Sequence, residues 1–87
     1  MASYKVFIKP SAVKELEGAA SIKDRNKIAA KILGLADHPR PAGSVKLSGE
    51  EKYRLRFRHF RIVYSIDDAK REVRVVKIAQ RKDVYRG

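Results

Sequence analysis

The clearest pattern in the chain is an alternation of apolar and basic positions over residues 52–66, which read KYRLRFRHFRIVYSI. Successive side chains of a β-strand point to opposite faces of the sheet, so this pattern predicts strands with one apolar face and one basic face. Like charges on one strand face repel each other, so we interpret the basic face as a surface for an anionic ligand. The apolar parity carries Tyr53, Leu55, Phe57, Phe60, Ile62, Tyr64 and Ile66, and the basic parity carries Arg54, Arg56, Arg58 and Arg61.

Two helices are predicted in the first half of the chain. Residues 3–9 alternate as a short strand that Pro10 ends, and Ser11 is placed to cap a short helix from about Ala12 to Glu17, which Gly18 closes. Ser21 and Asp24 have capping-box spacing and precede apolar residues at helical intervals. This second helix is expected to close at His38-Pro39, because a residue before proline is disfavoured in the α region.

The second half is predicted to be a β-meander. A connector over 38–51 holds a possible short strand at 45–47, and strands follow at 52–57, 60–67 and 72–79, joined by tight turns. The last strand is apolar on both parities, which favours a central position in the sheet. The predicted fold is α+β in the order β-α-α-β-β-β, as one domain over residues 1–87. The N-terminal strand and the helical hairpin pack on one face of a small, mostly antiparallel sheet, and the arginines line the open face.

The charge of the chain indicates a nucleic-acid partner. The net charge is +11. The 36 residues from Lys52 onward hold 12 basic and 4 acidic residues, a balance of 12 − 4 = +8. The absence of cysteine excludes disulfides and thiolate metal sites. With no apolar run long enough for a bilayer and no signal-peptide order at the N-terminus, we expect a cytoplasmic protein with no membrane partner.

The sequence shows none of the usual combinations of catalytic residues, so arginine, lysine and tyrosine are the remaining candidates for chemistry. The two histidines, His38 and His59, have no metal-ligand spacing, and no glycine-rich phosphate loop is present, so neither metal nor cofactor is predicted. Arginines bind phosphate oxygens, and guanidiniums near a tyrosine favour its charged form, which is able to take a proton from a ribose 2′-OH. From the residues alone the alternative stays open that the arginines only bind phosphate.

The ordered set YRLRFRHFRIVYSI followed by VVKIAQRKDVY resembles the RelE/ParE superfamily of bacterial and archaeal toxins, and within it the RelE branch. The helical hairpin, the connector with HPRP and the RKDVY ending occur in the same order. The resemblance implies the toxin of a type II toxin–antitoxin system that enters the ribosomal A site and cuts mRNA by 2′-OH attack, without a metal. It also implies a RelB-like antitoxin as partner, with operator DNA reached only indirectly through that antitoxin.

The resemblance also implies a catalytic set. Tyr85 is the expected general base, helped by Arg54 and Arg56; Arg61 stabilises the pentacoordinate phosphate, and Arg81 supports the leaving 5′-oxygen. Many RelE toxins carry lysines where this chain has Arg54 and Arg56, so electrostatic roles are expected for these two. Four flanking basic residues are expected to contact RNA: Lys52, Arg58, Lys82 and Arg86.

Two rival functions fit the same residues. A ParE-type toxin shares the fold and inhibits DNA gyrase by protein–protein binding, with no need for an assembled set of arginines and tyrosine. A non-catalytic RNA- or ribosome-binding module predicts salt-sensitive binding and no cleavage product.

Overall fold

The N-terminal half forms a strand and a helical hairpin. The structure is a computed structural model that describes residues 3–47 and 51–80, with β1 at Lys5–Ile8, α1 at Pro10–Ala19 and α2 at Ile22–Gly34. The prediction for α1 was too short. Lys9 is the N-cap residue and Pro10 takes the first helical position, where its missing N–H has no intrahelical partner to lose. Gly18 lies inside the helix rather than ending it.

The predicted cap of α2 is confirmed, whereas its predicted end is wrong. The Ser21 hydroxyl accepts a hydrogen bond from the Asp24 amide at 3.2 Å. The helix ends at Gly34, four residues before His38. The Leu35 amide bonds the carbonyl three residues earlier, at 3.0 Å, so the chain tightens into a turn before it reaches the proline.

The sheet contains five strands in the order β1-β5-β4-β3-β2. The remaining strands are β2 at Val45–Lys46, β3 at Lys52–Phe57, β4 at Phe60–Asp67 and β5 at Glu72–Gln80. The pairs β2–β3, β3–β4 and β4–β5 are antiparallel. β1 runs parallel to β5, and the long connection that such a pair requires contains both helices and the other three strands. The sheet is therefore mixed, and β5 is confirmed as an interior strand.

The core lies between α2 and one face of the sheet. Ile28, Ile32 and Leu35 are fully or almost fully buried, and Ala12 of α1 joins them. The sheet contributes the apolar parity of β3 and β4 as predicted, together with part of β5: Leu55, Phe60, Ile62, Tyr64, Ile66, Val73, Val75 and Ile78. Burial of this parity on the helices fixes which sheet face stays open.

A β-bulge explains the apolar residues on both parities of β5. Val63 pairs with Lys77 and Tyr64 pairs with Val75, so Val76 has no partner and shifts the register by one residue. Val75 and Ile78 therefore both point into the core although they are three positions apart. In the described part of the chain, no helix is long and apolar enough to cross a membrane.

Candidate functional site: a basic face of the sheet

Three arginines occupy the sheet face opposite the helices. Arg56 on β3 stands directly opposite Arg61 on β4, and Arg54 stands opposite Val63. Directly opposed residues on one sheet face have Cβ atoms about 5 Å apart, and next neighbours on one strand face are separated by about 7 Å. We call Arg54, Arg56 and Arg61 the arginine face. The hairpin thus presents three guanidiniums within the reach of one or two phosphate groups.

Within the described part of the chain, no acidic side chain compensates the charge of the arginine face. Among residues 3–47 and 51–80, none of the three guanidiniums has a hydrogen-bond or ion-pair partner, and the Nε of Arg54 is buried without an acceptor. Other basic side chains of the same domain form ion pairs, such as Lys77, whose Nζ lies 3.1 Å from a carboxylate oxygen of Glu15. Like charges directly opposite each other destabilise a sheet, so this arrangement lowers stability while it concentrates positive potential at one place.

Arg58 lies apart from the arginine face, so the expectation that it shares that face is wrong. It occupies the turn between β3 and β4 with a positive φ of 55°, which breaks the strand alternation. Its Nε lies 3.8 Å from a carboxylate oxygen of Asp24 on α2, and its guanidinium lies 5.6 Å from the ring centroid of Phe57. A contact of Arg58 with RNA stays a prediction.

Four of the predicted site residues fall in the C-terminal segment, outside the described residues: Arg81, Lys82, Tyr85 and Arg86. β5 ends at Gln80, which pairs with Phe60, the residue before Arg61. The last described residue of β5 therefore stands beside the start of β4, next to the position of Arg61. Lys52, the remaining RNA-binding candidate, stands at the start of β3 opposite Ser65, in line with Arg54 and Arg56.

A polar network, which we call the connector clamp, fixes the start of β3. The clamp consists of Arg40, Asp68, Tyr4 and Tyr53. Asp68 accepts hydrogen bonds from Arg40 Nη2 at 2.8 Å and from the Tyr4 hydroxyl at 2.7 Å, and Arg40 Nε donates to the Tyr53 hydroxyl at 3.0 Å. The bond from Arg40 lowers the pKa of Asp68, and donation to Asp68 raises the pKa of Tyr4.

The connector clamp holds the hairpin that carries the arginine face. Tyr53 immediately precedes Arg54, and its ring stacks on that of Tyr64 with centroids 5.9 Å apart. Tyr64 is fully buried and donates its hydroxyl to the carbonyl of Pro39 at 2.9 Å, which ties the connector to β4. Burial raises the pKa of Tyr64. The clamp was not predictable from the sequence, because its members are up to 64 positions apart and no local motif links them.

The free edge of β5 is covered by α1. β1 pairs only with residues 72–75, so the later part of β5 has no strand on that side. Glu15 accepts a hydrogen bond from the backbone amide of Ile78 at 2.9 Å and one from Lys77 Nζ at 3.1 Å. Burial acts to raise the pKa of Glu15, but these two hydrogen bonds outweigh it and the pKa is lowered. A side chain of α1 thus accepts a hydrogen bond from a backbone amide of β5 that would otherwise be free to pair with another strand.

The helix side of the described residues carries a cavity of a different character from the arginine face. A cavity of about 250 Å³ opens on the helix side, between α2 and the connector, and its lining is mostly apolar. Within residues 3–47 and 51–80, no three histidine, aspartate or glutamate side chains form a group that could hold a metal ion. The arginine face is therefore suited to binding an anion and to stabilising charge that develops on it.

Known proteins share this fold over almost its whole length. The sequence profile of the family described as "ParE toxin of type II toxin-antitoxin system, parDE" matches residues 6–85. The toxin–antitoxin complex RelBE2 from Mycobacterium tuberculosis contains a similar chain, with a TM-score of 0.78 and 20% identity over 91% of this chain and 99% of that one. The isolated E. coli RelE toxin gives a TM-score of 0.76 and 26% identity over 97% of this chain and 93% of that one.

An archaeal relative extends the comparison. The chain in the RelE–RelB complex from Pyrococcus horikoshii has a TM-score of 0.78 and 21% identity, covering 91% of this chain and 96% of that one. No curated protein sequence matches. The fold and its profile define a toxin of the RelE/ParE superfamily, which confirms the resemblance seen in the sequence. The chain belongs to the ParE toxin family of type II toxin–antitoxin systems.

Proposed function

We propose that this toxin is a ribosome-dependent endoribonuclease that cuts mRNA in the A site and so inhibits translation. The observation that carries the proposal is the arginine face. Its three guanidiniums have no partner among the described residues and stand on two adjacent strands, with Arg56 directly opposite Arg61. A phosphate between these two strands receives hydrogen bonds from both sides, and the bidentate guanidinium fork matches its oxygens.

The proposed reaction is an in-line attack by the 2′-OH on the adjacent phosphorus. The bond between the 2′-oxygen and phosphorus forms, and the bond from phosphorus to the 5′-oxygen breaks. The products are a 2′,3′-cyclic phosphate and a 5′-OH, whose oxygen takes its proton from water. Arg61 stabilises the pentacoordinate phosphate, and Arg54 and Arg56 supply positive potential. Tyr85 is proposed to take the proton of the 2′-OH, and Arg81 to support the leaving 5′-oxygen. No metal takes part in this proposal.

The ribosome is proposed to supply the orientation of the mRNA. Arginine stays protonated and is a poor general base, so the arginine face alone offers electrostatic stabilisation but no proton transfer. Holding the 2′-OH and the phosphate in line is worth several kcal/mol in favourable cases, and an mRNA fixed in the A site provides that geometry. The protein is accordingly proposed to act in the cytoplasm, on ribosomes.

A RelB-like antitoxin is the proposed regulatory partner. The solved relatives include toxin–antitoxin complexes named RelBE2, RelE–RelB and RelBE. An acidic or neutral segment that covers the arginine face would compete with mRNA for the same surface. Contact with operator DNA is proposed only indirectly, through that antitoxin.

Gyrase inhibition is the second candidate function, and the family profile favours it because the profile describes ParE toxins. That function acts through protein–protein binding and makes no use of three arginines that have no partner among the described residues. A supercoiling assay with purified gyrase distinguishes the two functions directly. A pure RNA-binding module is the remaining alternative, and it would bind the ribosome without producing a cut.

The experiment that tests the proposal is primer extension on a defined mRNA, with ribosomes stalled so that one codon occupies an empty A site. The wild-type protein is expected to cut within that codon and to leave the message intact when ribosomes are omitted. Arg61→Ala, Arg81→Ala and Tyr85→Phe are expected to reduce the cut, whereas Lys27→Gln on the exposed side of α2 serves as the matched control. An intact message with wild-type protein bound to the ribosome would overturn the proposed cleavage.

A further inference from the structure

One aromatic ring lies exposed on the open side of the sheet, at the far edge from the β3–β4 hairpin. Val6 of β1 packs against the core, whereas its neighbour Phe7 points to the opposite face and is 39% exposed. The guanidinium of Arg74 on β5 lies over the Phe7 ring, 4.7 Å from its centroid. This arrangement places a guanidinium over a partly exposed aromatic ring, and we call the pair the edge platform.

The edge platform belongs to the same sheet face as the arginines. Phe7 pairs with Arg74, Arg74 pairs with Ser65, and Ser65 pairs with Lys52, so these four residues form one row across four strands. Arg61 lies four positions from Ser65 along β4. From a strand rise of about 3.4 Å per residue and a strand spacing of about 4.8 Å, the platform lies roughly 17 Å from Arg61. The open face therefore continues past the proposed cleavage site.

The chemistry of the edge platform fits a base better than a phosphate. A carboxylate oxygen of Glu72 lies 3.4 Å from Arg74 Nη2 and forms an ion pair with it. The negative charge of Glu72 therefore disfavours binding of a phosphate at the edge platform. An exposed phenylalanine and a stacked guanidinium instead accept a planar π-system, as proteins that bind single-stranded nucleic acid stack bases on aromatic and arginine side chains. The arginine face supplies phosphate binding and the edge platform supplies stacking.

We propose that Phe7 and Arg74 form a base-stacking subsite for the same single-stranded RNA whose phosphates contact the arginine face. The inference rests on the proposed function, since it assigns a further contact to that RNA. Base stacking is sequence-tolerant, so the subsite orients the strand and adds affinity at a distance from the reacting phosphate.

The test uses the full-length protein and a single-stranded 2′-O-methyl oligoribonucleotide, which lacks the nucleophile and cannot be cut. One base is replaced by 2-aminopurine, whose fluorescence is quenched by stacking, and a labelled copy gives the dissociation constant by anisotropy. Phe7→Leu is expected to weaken binding by about 5-fold to 150-fold and to abolish the quenching. Phe7→Trp is expected to retain both. Ile8→Leu, on the same strand with nearly the same exposure of 38%, is the matched control.

The outcomes separate the inference from the proposed function. If Arg56→Gln weakens binding while Phe7→Leu leaves both affinity and quenching unchanged, the base-stacking subsite is overturned and the arginine face stands. Failure of the wild-type protein to bind the oligonucleotide overturns the subsite as well. The proposed cleavage of mRNA is then tested independently by the primer-extension experiment. Binding that depends on Phe7, combined with no cleavage on ribosomes, supports the subsite and overturns the proposed reaction.

Discussion

Replacing Arg56 by glutamine is expected to change how salt weakens RNA binding. Each phosphate that a protein neutralises on a single strand contributes about −0.7 to the slope of log K against log salt. One phosphate per guanidinium gives the arginine face a slope of about −2.1, which weakens binding about 18-fold between 50 and 200 mM salt. The Arg56→Gln variant is expected to have a slope of about −1.4, which weakens binding about 7-fold over the same range of salt. Other basic residues add equally to both slopes, so the difference of about 0.7 is the quantity to read.

The assay is fluorescence anisotropy with the uncleavable 2′-O-methyl oligonucleotide at four or more salt concentrations. Arg56 is the suitable position because its side chain is exposed and makes no hydrogen bond or ion pair with the described residues, so its loss should leave the fold intact. Lys27→Gln removes the same charge from the helix layer and should keep the wild-type slope. Equal slopes for wild type and Arg56→Gln, or an equal decrease in both variants, would refute the assignment of the arginine face as the phosphate-binding surface.

Three predictions concern stability. Tyr64→Phe leaves a connector carbonyl without its donor and is expected to lower the free energy of unfolding by about 1–3 kcal/mol in urea denaturation; an unchanged midpoint would contradict the role of that bond. Arg58 and Arg71 both have a φ of 55°, a conformation that favours glycine. Arg71→Gly is expected to raise the thermal midpoint more than Arg58→Gly, because only the Arg58 variant loses an ion pair with α2. A higher midpoint for Arg58→Gly than for Arg71→Gly would contradict a stabilising role of that ion pair. The lowered pKa of Glu15 means that its contribution to stability is present above the pKa of the unfolded chain, about 4.3, and disappears as pH falls through the folded value. The stability gap between wild type and Glu15→Gln should therefore close on acidification from pH 6 to about pH 3, whereas exposed Glu17→Gln should show no such gap.

The faces of β3 and β4 could be predicted from the sequence because strand alternation is a strictly local rule. Leu55 and Ile62 are buried and Arg54 and Arg61 lie on the other side, as the pattern indicates. The same rule failed at Arg58, because a two-residue turn needs a backbone conformation that strand periodicity does not encode.

Features that depend on contacts between distant segments were not predictable. The extension of α1 past Gly18 accompanies its packing along β5, where Gln80 donates to the carbonyl of Ala19 at 3.2 Å. The bulge at Val76 depends on the register between β4 and β5, and no residue type in the sequence predicts it. The clamp and the edge platform likewise join side chains that only the completed sheet brings together.

The parallel pairing of β1 with β5 has a consequence for how the toxin is made. Lys5 pairs with Glu72, so the two strands are separated by 72 − 5 = 67 positions, and β5 lies between β1 and β4. A chain emerging from its own ribosome presents β1 and both helices long before the strand that joins them to the meander. Contacts of such long sequence separation form late, because the entropy of closing the loop must be overcome first. The growing polypeptide therefore cannot complete its sheet until β5 has been synthesised, so the folded toxin domain forms only when its synthesis is nearly finished.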